Sequence, residues 1–76
     1  MNKTRRSELR KIQRAIENAL SDIKYVIDEE QDALDNLPEN LQNSMRASDM
    51  EDKISDMEDI CGDLEDIITA LDGVMF

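Results

Sequence analysis

A run of apolar residues spaced alternately three and four apart most constrains what this chain can fold into. It occurs twice, and each time it is too broad for a single neighbour. From Leu9 the apolar positions recur as Leu9, Ile12, Ile16, Ala19, Ile23 and Val26, are interrupted by Glu30, and resume at Ala33 and Leu37. That alternation is the seam of a helix packed lengthwise on another helix. A second row, Leu20, Ile27 and Leu34, lies one residue beyond the seam and widens the stripe to about three positions in seven, where a two-stranded coiled coil needs two. Further along, Met50, Ile54, Met57, Cys61, Leu64, Ile68, Leu71 and Met75 repeat the alternation, flanked by Ile60, Ile67 and Val74. The pattern predicts an all-α, antiparallel two-helix hairpin that assembles into a helical bundle oligomer. Leu20, Ile27, Leu34, Ile60, Ile67 and Val74 are the expected interface between copies.

The boundaries have chemical causes. Leu37 precedes Pro38, and a residue before proline is pushed out of the α region, so the first helix is expected over about residues 4–36. Ser48-Asp49-Met50-Glu51 reads as a capping box, which starts the second helix near Asp49. Gly73 can take the left-handed conformation that closes a helix, so the second helix is expected over about residues 49–72 with Val74, Met75 and Phe76 as a tail. At the standard rise the two helices would be about 48 Å and about 36 Å long. The connection, residues 37–48, is long for a tight hairpin, and Pro38-Glu39-Asn40-Leu41-Gln42 is expected to form a short helical turn.

A chain of 76 residues has room for one domain, residues 1–76, and buries little surface per residue without outside help. No disulfide can supply that help, because Cys61 is the only cysteine, and the absence of histidine removes the usual zinc sets. Oligomerisation is the remaining reinforcement. No apolar run reaches the roughly 18 residues of a membrane span, and the basic N-terminus lacks the hydrophobic segment of a secretory signal, so a reducing cytoplasm is expected.

Charge is distributed unevenly. Residues 1–14 hold Lys3, Arg5, Arg6, Arg10, Lys11 and Arg14 against Glu8, a net of +5, so a total of −10 leaves −15 on residues 15–76. In an antiparallel hairpin the basic segment is expected beside Glu58, Asp59, Asp63, Glu65, Asp66 and Asp72, a pairing that could equally guide a neighbouring subunit. The net charge speaks against direct binding of nucleic acid or an anionic membrane. With only Tyr25 and Phe76 aromatic, stacking platforms for bases or flat cofactors are missing as well.

Five features set candidate chemistry against a plainer structural role. Asp52, Asp56, Asp59, Asp63 and Asp66 recur at helical spacing, which reads first as a solvated outer face and second as a mimic of nucleic-acid phosphates aimed at a DNA-binding protein. Glu29-x-x-Asp32, Asp56-x-x-Asp59 and Asp63-x-x-Asp66 have the spacing with which all-α nucleotide pyrophosphatases hold magnesium. So acidic a chain produces such pairs by chance, however, and no cluster of cations stands ready for a triphosphate. No catalytic residue, metal ligand or cofactor is therefore expected. Glu30 interrupts the first seam and should point inward, where a carboxylate needs a partner: a donor of the connection or Lys53 near the same end, or else a ligand. Cys61 in the second seam reads as a small hydrophobe. Finally, Asn36, Asn40, Gln42, Ser44 and Arg46 gather polar groups just before a helix start. Such groups usually cap helix ends, but they can also hold a nucleotide if Arg6, Arg10 and Arg14 arrive from a second subunit.

The stretch Asp28-Glu29-Glu30-Gln31, Asp35-Asn36-Leu37-Pro38-Glu39-Asn40-Leu41-Gln42, then Ser44 and Arg46 resembles a family of short, uncharacterised bacteriophage and prophage proteins. The resemblance covers residues 28–46 and departs at Met45, where many of those proteins carry an acid. It implies a phage origin and no established activity. By analogy with small accessory phage proteins, the expected function is counter-defence: a homo-oligomer that binds and neutralises a host immune factor or its nucleotide messenger.

Overall fold

The computed structural model describes residues 1–76. Two long helices run antiparallel, α1 over Lys3–Asp35 and α2 over Met45–Met75, joined by a connection that holds one 3-10 turn at Glu39–Leu41. The all-α hairpin expected from the alternating apolar rows is what forms, and the short turn after Pro38 is present.

Both helices start on a side-chain cap. Asn2 accepts from the backbone N–H of Arg5 at 2.8 Å and opens α1. Ser44 opens α2: its hydroxyl accepts from the N–H of Ala47 at 3.3 Å and donates to the carbonyl of Leu41. The cap is therefore Ser44 and not Ser48, whose own N–H already bonds the Ser44 carbonyl at 3.1 Å. The extra turn has a packing cause. It carries Ala47 into the seam, where only 1% of its surface remains exposed. Ser44→Ala is accordingly expected to lower stability by about 1 kcal/mol in urea unfolding, while Ser48→Ala changes it little.

The other end of α2 also runs past its expected limit. Gly73 has no positive φ and continues the helix to Met75, which is buried. A glycine costs a helix interior up to about 1 kcal/mol, and burial of one more methionine offsets that. The terminal Phe76 ring then lies 5.4 Å from the Arg10 guanidinium, in cation–π range.

The sheltered side chains define the register. On α1 and just beyond it they are Leu9, Gln13, Ile16, Leu20, Ile23, Ile27, Glu30, Leu34 and Leu37; on α2 they are Ala47, Met50, Ile54, Met57, Cys61, Leu64, Ile68, Leu71 and Met75. Each set alternates steps of three and four, so each turn of one helix meets a turn of the other. Gln13, polar in an apolar row, is satisfied: its amide donates to the Ile68 carbonyl at 3.0 Å and to the Asp72 carboxylate at 2.7 Å.

On α1 this corrects the assignment of rows. Leu20, Ile27 and Leu34, expected to face another copy, lie in the hairpin's own seam, Leu20 buried and the other two half-buried. The row expected inside, Ile12, Ala19, Val26 and Ala33, points outward. Side-chain volume explains the exchange, because two leucines and an isoleucine fill the space between helices that two alanines would leave void. On α2 the rows fall as expected, with Ile60, Ile67 and Val74 outward.

The result is a rod of 60 × 15 × 11 Å whose radius of gyration is 17.5 Å, against about 11 Å for a compact domain of this length.

Candidate functional site

In an antiparallel helix pair, residues that precede the first of each pair of seam positions come to one edge on both helices, and residues that follow the second come to the other edge. Lys24 follows Ile23, Glu65 follows Leu64, and the two meet in an ion pair of 3.4 Å, which identifies the second edge. That edge is polar. It holds a shallow groove lined by Lys24, Ile27, Asp28, Glu58, Cys61, Gly62 and Glu65. Cys61 forms part of its lining as a free, buried thiol.

The opposite edge is apolar. Ile12 and Val26 precede Gln13 and Ile27 on α1, and Ile60, Ile67 and Val74 precede Cys61, Ile68 and Met75 on α2, so all five lie on the same side of the rod. Each keeps about half of its surface exposed, from 46% at Ile67 to 55% at Val74. Ala19 and Ala33 fill out the α1 row. Monomeric proteins rarely leave so continuous an apolar strip uncovered. The surplus apolar surface foreseen in the heptads thus exists, on α2 where expected and on α1 one row over.

The polar groups of the connection do not converge on an open site. The Asn36 amide donates to the Asp32 carbonyl at 2.8 Å, the Gln42 amide to the Leu37 carbonyl at 3.3 Å, and Ser44 caps α2. These bonds satisfy carbonyls and amides that helix ends leave orphaned. Asn40 and Arg46 are exposed and make no side-chain hydrogen bond. Arg6, Arg10 and Arg14 stand on the first turns of α1, at the far end of the rod from the connection, so one chain does not bring the two groups together.

Compared with protein families, with curated proteins and with solved structures, the chain matches none.

Glu30 is half-buried, as its place in the seam requires, but it makes no hydrogen bond or ion pair, with Lys53 or any other group. No buried side-chain oxygen is left without a partner, so its carboxylate reaches water at the margin of the seam. Counted outward from the connection, Glu30 is level with Ile54, which is buried. Glu30→Leu is expected to stabilise the hairpin by about 1 kcal/mol, read as a higher urea midpoint, because the seam then closes over apolar surface.

The expected pairing of the basic segment with the acids of α2 is also absent: Lys24–Glu65 is the only ion pair, and no cation of residues 1–14 takes part in one. Asp72, the nearest of those acids, bonds Gln13 instead. Asp52, Asp56, Asp59, Asp63 and Asp66 form an exposed ladder along the outer side of α2, free of hydrogen bonds and ion pairs. No three acidic or thiol groups converge to hold a metal ion. No helix is long and apolar enough to cross a membrane.

The arrangement presents an apolar edge, a basic segment without ion pairs, and an exposed acidic ladder on α2.

Proposed function

We propose that this chain is a non-catalytic interaction protein that works as a homo-oligomer and neutralises a protein partner. The observation that carries the reading is the half-exposed apolar edge of Ile12, Val26, Ile60, Ile67 and Val74. Only 6 of 76 residues are buried in the single hairpin, so a further packed surface is what a stable fold of this size needs. The resemblance of residues 28–46 to small phage proteins supports a counter-defence setting, with a host protein as target and the host cytoplasm as the place. A nucleotide messenger is the less favoured target, since the amides and hydroxyl suited to hold it already bind backbone groups.

Sedimentation tests the assembly. A species larger than 8.7 kDa at micromolar concentration is expected, and a monomer would overturn the reading. A thermal-shift screen against nucleotides and cyclic nucleotide signals, repeated with Arg46→Ala and Arg10→Ala, tests the target: a ligand stabilises the state it binds, and silence across the panel is expected.

A second reading has its own observation. The unpaired carboxylate ladder from Asp52 to Asp66 suits a nucleic-acid mimic that occupies the basic groove of a DNA-binding host protein. Such binding would fall steeply with added salt, and binding indifferent to salt would dismiss it.

A further inference from the structure

We infer that two copies of the hairpin stack apolar edge on apolar edge with their long axes opposed, so that α1 of each lies over α1 of the other and the basic start of one covers the acidic end of the next. The inference rests on the homo-oligomer proposed above and adds the occupant of the edge, the number of copies and their direction.

The area fits a second copy. A compact monomer of 8.7 kDa exposes roughly 4,700 Å². This chain exposes 5821 Å², an excess of roughly 1,100 Å², and a standard interface hides about 800 Å² on each partner.

Charge selects the direction. Residues 20–61, the half of the rod that ends in the connection, hold thirteen acids against three cations and so carry the whole net charge of −10; the other half, residues 1–19 and 62–76, is balanced. A two-fold axis allows two stacks of such rods. With the axis along the rod, both connections come to the same end, and the acid-rich halves are superposed. With the axis across the rod, α1 crosses α1 in opposite directions. Its first turns, where Arg5 continues the apolar row without an ion pair, then run alongside the acid-rich stretch of the other α1, in which Glu29 and Asp32 lie between Val26 and Ala33 of the same row. Like charges set against each other suppress the first stack, and unlike charges favour the second. Small side chains mark the crossing, because Ala19 stands near the middle of α1 with Ile12 and Val26 seven residues to either side. Opposed stacking sets Ala19 against its own copy and Ile12 against Val26, a self-complementary fit.

Cysteine cross-linking in a Cys61→Ala background tests the direction, alongside sedimentation of the same proteins. Ala19→Cys is expected to convert most of the protein to a disulfide-linked dimer. Ile12→Cys and Val26→Cys are each expected to stay largely uncrosslinked alone and to link when mixed. If sedimentation finds an oligomer but Ala19→Cys stays unlinked, or if Ile12→Cys links to Val74→Cys, the opposed stack is overturned while the homo-oligomer stands. A chain that sediments as a monomer overturns both.

Discussion

Ile54→Ala is expected to lower the unfolding free energy of the hairpin by about 3 kcal/mol. Ile54 is 5% exposed in the middle of the α2 seam, on the layer where α1 offers Glu30 in place of an apolar side chain. Little around it can collapse into the space left by the lost atoms, so the cavity adds to the transfer cost. The total stability of a chain this length is only about 4–11 kcal/mol, so one such loss is a large fraction of it. Ile60→Ala is the informative companion. Ile60 has the same side chain one turn and a half away, but 48% of it is exposed. Its removal is expected to change far less in dilute protein and progressively more as concentration rises, because in the proposed dimer its exposed half packs on another copy. Urea unfolding at two protein concentrations checks both, and equal effects at the two isoleucines would contradict the register.

How far the sequence could be read depended on which physical quantity decided each feature. Period alone decided the two helices and the α2 seam, and both are as the spacing requires: Ile54, Cys61, Ile68 and Met75 face α1, and Ile60, Ile67 and Val74 do not. On α1 period was not enough. The row through Ile12, Ala19, Val26 and Ala33 is wholly apolar, whereas the row through Leu20, Ile27 and Leu34 includes Gln13. Counting apolar residues favours the first row; filling volume favours the second. Gln13 removes the objection to the second row by bonding Ile68 and Asp72, an arrangement fixed by the partner helix and invisible along one chain segment. The start of α2 went the same way. Ser44 and Ser48 are equally good caps locally, and the choice between them was made by Ala47, which has a place in the seam only if the helix starts early. The polar connection was legible as a cluster but not as a site, because each of its amides had a backbone group in reach that no spacing rule reveals.

The exchange of rows on α1 changes which substitutions should take the proposed assembly apart. Val26→Asp combined with Ile67→Asp is expected to yield a monomer that keeps its helical signal. Both side chains are about half exposed on the apolar edge and outside the seam, so aspartate is tolerated in the lone hairpin, where it adds to a surface that is already acidic. Against a second copy the same carboxylates must lose water without gaining a partner, at several kcal/mol each. A loss of about 3 kcal/mol raises the dissociation constant by more than 100-fold, which sedimentation at micromolar concentration resolves. Leu20→Asp makes the contrast. On the row first expected between copies it would dissociate the oligomer and spare the helices, but Leu20 is buried within the hairpin, and its replacement is expected to abolish the helical signal together with the assembly. Circular dichroism and sedimentation on the two variants therefore separate the edge from the seam. A Val26→Asp, Ile67→Asp protein that still sediments as an oligomer would place the contact between copies elsewhere.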